Sequence, residues 1–314
     1  MKRLLKLMLA GQSLRHRPVA LWPDEQRPVR AVLASPGDSA DITARLFPVS
    51  LNPLVLGIHS PGELGLGADA RVAVRMFDAD ERVPVGDLRL RGERILPWPG
   101  GDVLLLKPTG SRVRCAPALD RAWRYALAWR QAKVIAKTPN AFAMSFPDLK
   151  ALNVFYMMPR PVYLVSVAHG DASNIFPMDL VGPVGDDTFL LALRRTSPSI
   201  ELMKASGRIV VSAIPAELKE PVYALGMHHK QKSIDWAGLP IATAPSPAFG
   251  IPAPVDALSV RELEVRQAAE VGSHVFFDTR VAAFDRRRDG AQLCHVSDMY
   301  ARWRAARGRS FAGA

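Results

Sequence analysis

The 314-residue sequence predicts a mainly β chain with a few helices, an α+β arrangement in which one β-unit is followed by a second of similar design. Three observations carry this. Apolar runs of strand length, bounded by Gly, Asp and Pro, recur along the chain. Several return in the same order in the second half. One stretch free of Pro and Gly, Ala118–Lys137, lies between the two sets.

The repeat begins with Arg27-Pro28-Val29-Arg30-Ala31-Val32-Leu33-Ala34, which returns as Arg160-Pro161-Val162-Tyr163-Leu164-Val165-Ser166-Val167. Each is followed at equal distance by Gly-Asp, at Gly37-Asp38 and Gly170-Asp171. Leu46-Phe47-Pro48-Val49 matches Ile175-Phe176-Pro177-Met178. Leu54–Ile58 with Ser60-Pro61 matches Leu190–Leu193 with Ser197-Pro198, and Ala70–Val74 matches Gly207–Val211.

In the second set, Val162–Val167, Phe189–Leu193 and Ile209–Ile214 read as strands. Ser197–Ala205 reads as a short helix, with Ser197 as N-cap and Pro198 as its first residue. Leu258–Val271 and Val275–Phe284 read as a long antiparallel pair joined at Gly272-Ser273. The Pro-rich stretch Thr243–Pro254 reads as a loop without regular structure. Ala118–Lys137, with Leu119, Trp123, Ala126, Leu127 and Val134, reads as an amphipathic helix. Its length without Pro or Gly predicts that it packs between the two units through Trp123 and Trp129.

Composition excludes several classes. Cys115 and Cys294 stand alone, which excludes a disulfide framework and a standard zinc site and makes a reducing, cytoplasmic setting the default. Adjacent His228 and His229 point different ways on any regular element. No apolar run approaches the ~20 residues that cross a bilayer. Met1–Ala10, interrupted by Lys6, reads as a short basic amphipathic helix rather than a signal peptide. The net charge of +11 sits at the ends: +5 from residues 1–30 and +5 from residues 280–314. Solvated basic tails are the expectation, with loose polyanion or membrane-surface contact as the alternative and no specific nucleic acid. The division is a basic arm (1–24), a first β-unit (25–114), a connecting helix (115–140), a second β-unit (141–300) and a basic tail (301–314).

The second half resembles the flavin reductase-like, FMN-binding split-barrel family. The resemblance rests on an ordered set: Arg160-Pro161-Val162, Asn174-Ile175-Phe176-Pro177, Arg194-Arg195-Thr196-Ser197-Pro198-Ser199, Ser206–Val211 and Gly272-Ser273-His274. Lys232–Leu239 resembles a further family stretch with acid and base reordered. Ser273 stands where the family carries Asp. The resemblance implies tandem split β-barrels, the second binding FMN, with FAD as the alternative. It implies NADH or NADPH as reductant, a small-molecule substrate or acceptor, and a homodimer or an intramolecular pseudo-dimer. The alternatives are a non-catalytic flavin-binding scaffold and a flavin-dependent oxidase or monooxygenase.

The site residues read as follows. Thr196, Ser197 and Ser199 bring hydroxyls and free N–H groups to a helix start, which suits a phosphate that Arg194 or Arg195 neutralises; plain helix capping by Ser197 is the alternative. Asn174, before Ile175-Phe176-Pro177, suits the polar edge of an isoalloxazine, or a turn. His274 suits a nicotinamide dinucleotide or the flavin, or an exposed turn. The flavin carries the redox chemistry, so no catalytic acid or base is assigned. The first unit has Arg45 in place of Asn174 and Ser60–Gly65 in place of the hydroxyl cluster. It reads as a degenerate copy without cofactor.

Overall fold

The computed structural model describes residues 14, 16–25, 28–35, 38–97, 100–137, 142–185 and 187–313. The expected amphipathic Met1–Ala10, together with Arg27 and Gly37 of the repeat, lies outside them. The first unit is an antiparallel sheet of β2 (Val29–Ser35), β3 (Asp38–Asp41), β4 (Leu46–Leu51), β5 (Leu54–His59), β6 (Arg71–Asp78), β7 (Pro84–Leu96) and β8 (Val103–Val113), in the order β3-β2-β6-β7-β8-β5-β4. The second comprises β10 (Tyr163–His169), β11 (Ala172–Met178), β12 (Val181–Pro183), β13 (Thr188–Arg194), β14 (Arg208–Ala213), β17 (Ser259–Val271) and β18 (His274–Arg286). Its order is β11-β10-β14-β17-β18-β13-β12. Strand for strand, the two sheets share one topology. A third sheet joins the ends of the chain: β1 (His16–Leu21) pairs with β19 (Gln292–Ser297) and β20 (Ala312–Gly313), and β19 with β9 (Arg160–Pro161).

The alternation of side chains explains why two such sheets meet. On β6 the burial alternates along the strand, with one face on the core and one in water. On β4 and β5 nearly every residue is buried. Leu54, Leu56 and Ile58 face the first unit's own core. Phe47, Val49 and Val55 face a second core, shared with Leu190, Ala192, Val271 and Phe276 of the other unit. In that shared layer Phe47 and Phe276 stack at 5.6 Å between centroids. Burying each such side chain contributes roughly 1.5–3 kcal/mol.

The topology corrects one repeat match. Leu46-Phe47-Pro48 lies on β4, whose counterpart is β12, whereas Ile175-Phe176-Pro177 lies on β11, the counterpart of β3. A shared Phe-Pro pair misleads because its surroundings, not its letters, set the register.

Four further readings change. The helix α1 (Ala118–Ala136) does not pack between the units: Trp123 and Trp129 are exposed, while Arg124 and Ala128 face inward. The second helix, α2 (Phe146–Phe155), packs on the first unit's core, so the first unit extends past residue 141. Residues 301–309 are not a free tail. A helix, α5 (Asp298–Ala305), sets Arg304 on Asp78 at 2.9 Å and on Asp80 at 2.9 Å, and Asp78 also accepts from the Tyr300 hydroxyl at 2.6 Å. The proline-rich stretch forms a small ribbon, β15 (Thr243–Pro245) with β16 (Pro252–Pro254). Three-residue strands leave enough N–H groups between prolines for pairing. Among the described residues no helix is long and apolar enough to cross a membrane.

Where β1 and β19 meet the second unit, Asp179 accepts from Tyr156 Oη at 2.9 Å and pairs with His295 Nδ1 at 2.7 Å. Burial works to raise the Asp179 pKa, but the hydrogen bond and charge of His295, with His16 and Tyr156, bring it down to about 2.

Candidate functional site

The site forms where strands β13 and β18 meet. Arg194, the last residue of β13, is the register partner of His274, the first of β18. The turn before β18 turns on Gly272, whose φ of 54° and whose contact with the first unit both favour glycine; a Cβ there would lie 2.5 Å from Ser50 Oγ. The Ser273 N–H donates to Ser50 Oγ (3.1 Å), and Ser273 Oγ accepts from the Asn52 N–H (3.1 Å). Ser273 is thus the contact that fastens the turn to the first unit.

His274 is 2% exposed. Burial, then the charge of Arg194, lowers its pKa to about 4, so the imidazole is neutral at pH 7. Its Nδ1 lies 2.9 Å from Ser273 Oγ and 3.5 Å from the Leu51 N–H, an arrangement in which Nδ1 accepts. The proton is therefore assigned to Nε2.

Arg194 is half-buried, and its guanidinium lies 3.9 Å from the Phe142 ring centroid. Phe142 also meets the His274 ring edge-on at 6.2 Å. Among the described residues no carboxylate pairs with Arg194. Burial lowers its pKa. Its charge also helps lower the pKa of His229, where burial is the larger cause. Arg195, by contrast, is exposed and paired with Glu270 at 3.1 Å. Thr196 is exposed beside them.

The other expected residues gather next to this spot. The helix α3 (Ser199–Ser206) starts one residue later than the sequence reading, with no side-chain cap. Ser197 does not cap it. Its Oγ donates to the His229 carbonyl at 2.6 Å, where the buried setting offers a better acceptor. Asn174 Nδ2 donates to the carbonyls of His228 (2.9 Å) and Gln231 (2.8 Å) and to Ser199 Oγ (3.2 Å). Asn174 and Ser197 thus bind the chain's own segment 228–231, and Ser199 bonds Asn174. Among the described residues Asn174 Oδ1 is buried without a partner. Ile175 and Phe176 enter two hydrophobic cores on opposite faces of β11, and Pro177 is half-buried. Sequence reasoning missed Phe142, His229 and the Ser50–Asn52 turn. The His228-His229 pair was visible but was weighed only as a metal grip.

The first unit differs at the matching place. His59 and Val103 occupy the register positions of Arg194 and His274. His59 Nε2 lies 2.6 Å from the Gly100 carbonyl, and Arg45 is paired with Glu63 at 2.5 Å. The following helical turn, Pro61–Leu64, is four residues long and carries that acid.

Comparison with known proteins agrees with this half of the fold. Residues 155–304 match the flavin reductase like domain. The chain is 26% identical over 155 residues to an uncharacterized protein of Pyrococcus abyssi, covering 45% of this chain and 88% of that one. Among solved structures, an FMN-binding protein from Thermus thermophilus with bound p-hydroxybenzaldehyde is 21% identical, covering 45% of this chain and 83% of that chain, with a TM-score of 0.40. The NADH:FAD oxidoreductase SgcE6 of Streptomyces globisporus C-1027 is 18% identical, covering 46% and 87%, with a TM-score of 0.42. The flavin reductase of styrene monooxygenase from Pseudomonas putida S12 is 17% identical, covering 46% and 92%, with a TM-score of 0.40. The second half of the chain is a split barrel that matches the flavin reductase like domain over residues 155–304.

Proposed function

We propose that the chain binds one FMN, with FAD as the alternative, at the Arg194 end of β13 and acts as an NADH- or NADPH-dependent oxidoreductase. The observation that carries this is Arg194: a half-buried cation with no carboxylate partner among the described residues. An uncompensated guanidinium beside two histidines that stay neutral favours an anion, and a phosphate suits it best.

The residues present fit a flavin. Arg194, exposed Thr196 and the uncapped start of α3 would hold the phosphate. Asn174 Oδ1, a buried acceptor without a donor, suits an N–H of the ring's polar edge. Ser197 holds segment 228–231 in place beside it, Ser199 braces Asn174, and Ile175 and Phe176 fix β11 through the cores. When bound, the flavin supplies hydride transfer. His274 offers a neutral Nε2–H donor whose orientation Ser273 and the first unit fix. The first unit then serves as a built-in partner, a degenerate copy with no unpaired cation at the matching place among the described residues.

The test compares FMN with riboflavin, which lacks the phosphate. Arg194→Ala should weaken FMN by roughly ten- to a hundredfold, since a charge-assisted bond contributes about 1.5–3 kcal/mol. Riboflavin should be nearly indifferent. Equal losses for both ligands would refute the phosphate assignment.

A further inference from the structure

Helix α1 is unlike the rest of the surface. Its outer side carries Leu119 (86% exposed), Trp123 (59%), Trp129 (48%) and Val134 (61%). Monomeric proteins seldom leave such side chains aligned in water. The helix is held firmly in that attitude. Arg124, on its inner side, pairs with Asp120 at 2.9 Å and with Asp298 of α5 at 3.1 Å. Arg121 donates to the Val113 carbonyl at 3.0 Å.

The apolar strip is accompanied by charge of one sign. Arg130, Lys133 and Lys137 are exposed, and the only acid from 118 to 137 is Asp120, already paired. Lys133 Nζ lies 3.7 Å from the Trp129 ring centroid. At the helix start Arg302, Trp303 and Arg307 of the C-terminal segment line one cleft with Pro117 and Asp120, with Arg302 paired to Asp298 at 2.9 Å and Arg307 to Glu81 at 3.3 Å. Arg307 lies 4.0 Å from the Trp303 ring centroid.

We infer that α1 is a docking surface for an anionic lipid bilayer, lying in its plane with Trp123 and Trp129 at headgroup depth. A convex helix whose exposed apolar side chains are spread among cations has no groove to receive a peptide. Tryptophan prefers the bilayer interface, where its ring is half apolar and its N–H is wet. The interspersed cations match acidic headgroups and do not match a second copy, which would set Lys133 and Lys137 against their own kind. This inference is independent of the flavin site.

The test uses the full chain and sedimentation with phosphatidylcholine vesicles, with and without phosphatidylglycerol. Binding is expected only to the acidic vesicles, falling steeply with added salt. Replacing Lys133 and Lys137 by Gln should weaken it roughly fivefold per lysine. Trp123→Ser with Trp129→Ser should abolish the blue shift of tryptophan emission and reduce binding further, at unchanged circular dichroism. No vesicle binding, or binding that neither pair of substitutions alters, would overturn the inference. So would a dimer in solution that the tryptophan substitutions dissociate.

Discussion

Removing the Phe276 side chain tests whether the two units share one core. Phe276 is fully buried, and its ring stacks on Phe47 of the other unit at an interplanar angle of 12°. Phe276→Ala should cost about 3–5 kcal/mol, from lost transfer energy and the cavity left behind. Phe47→Ala should cost somewhat less, because its ring is slightly more accessible. The informative quantity is their coupling, since a stacked pair contributes about 0.5–1.5 kcal/mol beyond its burial. Urea denaturation of the wild type, both single variants and the double variant closes the cycle. Each single loss includes that stacking, so the double variant should be less destabilised than the sum, by that amount. Additivity within about 0.3 kcal/mol would show that the units do not bear on each other there. Two separate unfolding transitions, only one moved by Phe276→Ala, would say the same.

Other outcomes follow from the same geometry. Gly272→Ala should destabilise by about 1–3 kcal/mol in thermal melts, because φ is positive and its Cβ would meet Ser50. The pH dependence has a defined sign. His274 takes a proton near pH 6.5 when unfolded but only near 4 when folded, so the unfolded state binds more protons between these values. Stability is therefore complete above 6.5 and declines as pH falls toward 4, by about 3 kcal/mol, and the His274→Gln variant should lack this slope. Asp179, held at about 2, contributes stability that is present above about pH 4 and lost as pH falls toward 2; in Asp179→Asn the steepest acid unfolding should disappear.

Much of this was legible in the sequence. Strands with bulky apolar runs, such as Tyr163–His169 and Thr188–Arg194, were visible because they are buried on both faces, and the long pair Ser259–Val271 and His274–Arg286 because a Gly-Ser turn divides it. The hydroxyl cluster after β13 stood out, but not its hydrogen bonds. Whether Ser197 caps a helix or grips a carbonyl depends on residues 228–231, some thirty positions on. The outward set of α1 was illegible for a similar reason. A helix with apolar residues on several sides does not announce which side packs, and here the buried salt bridges of Arg124 decide. Arg194 looked no different from Arg195 in the sequence. Only the fold pairs one with Glu270 and leaves the other to Phe142.

A single flavin site per chain is expected, in the second unit and dependent on Arg194. Titrating the full-length protein with FMN under tight-binding conditions, and following flavin fluorescence, measures the equivalents bound. One equivalent per chain is predicted for the wild type, with the Arg194→Ala variant saturating only at much higher FMN. Two equivalents per chain, or one that Arg194→Ala leaves at unchanged affinity, would contradict the account.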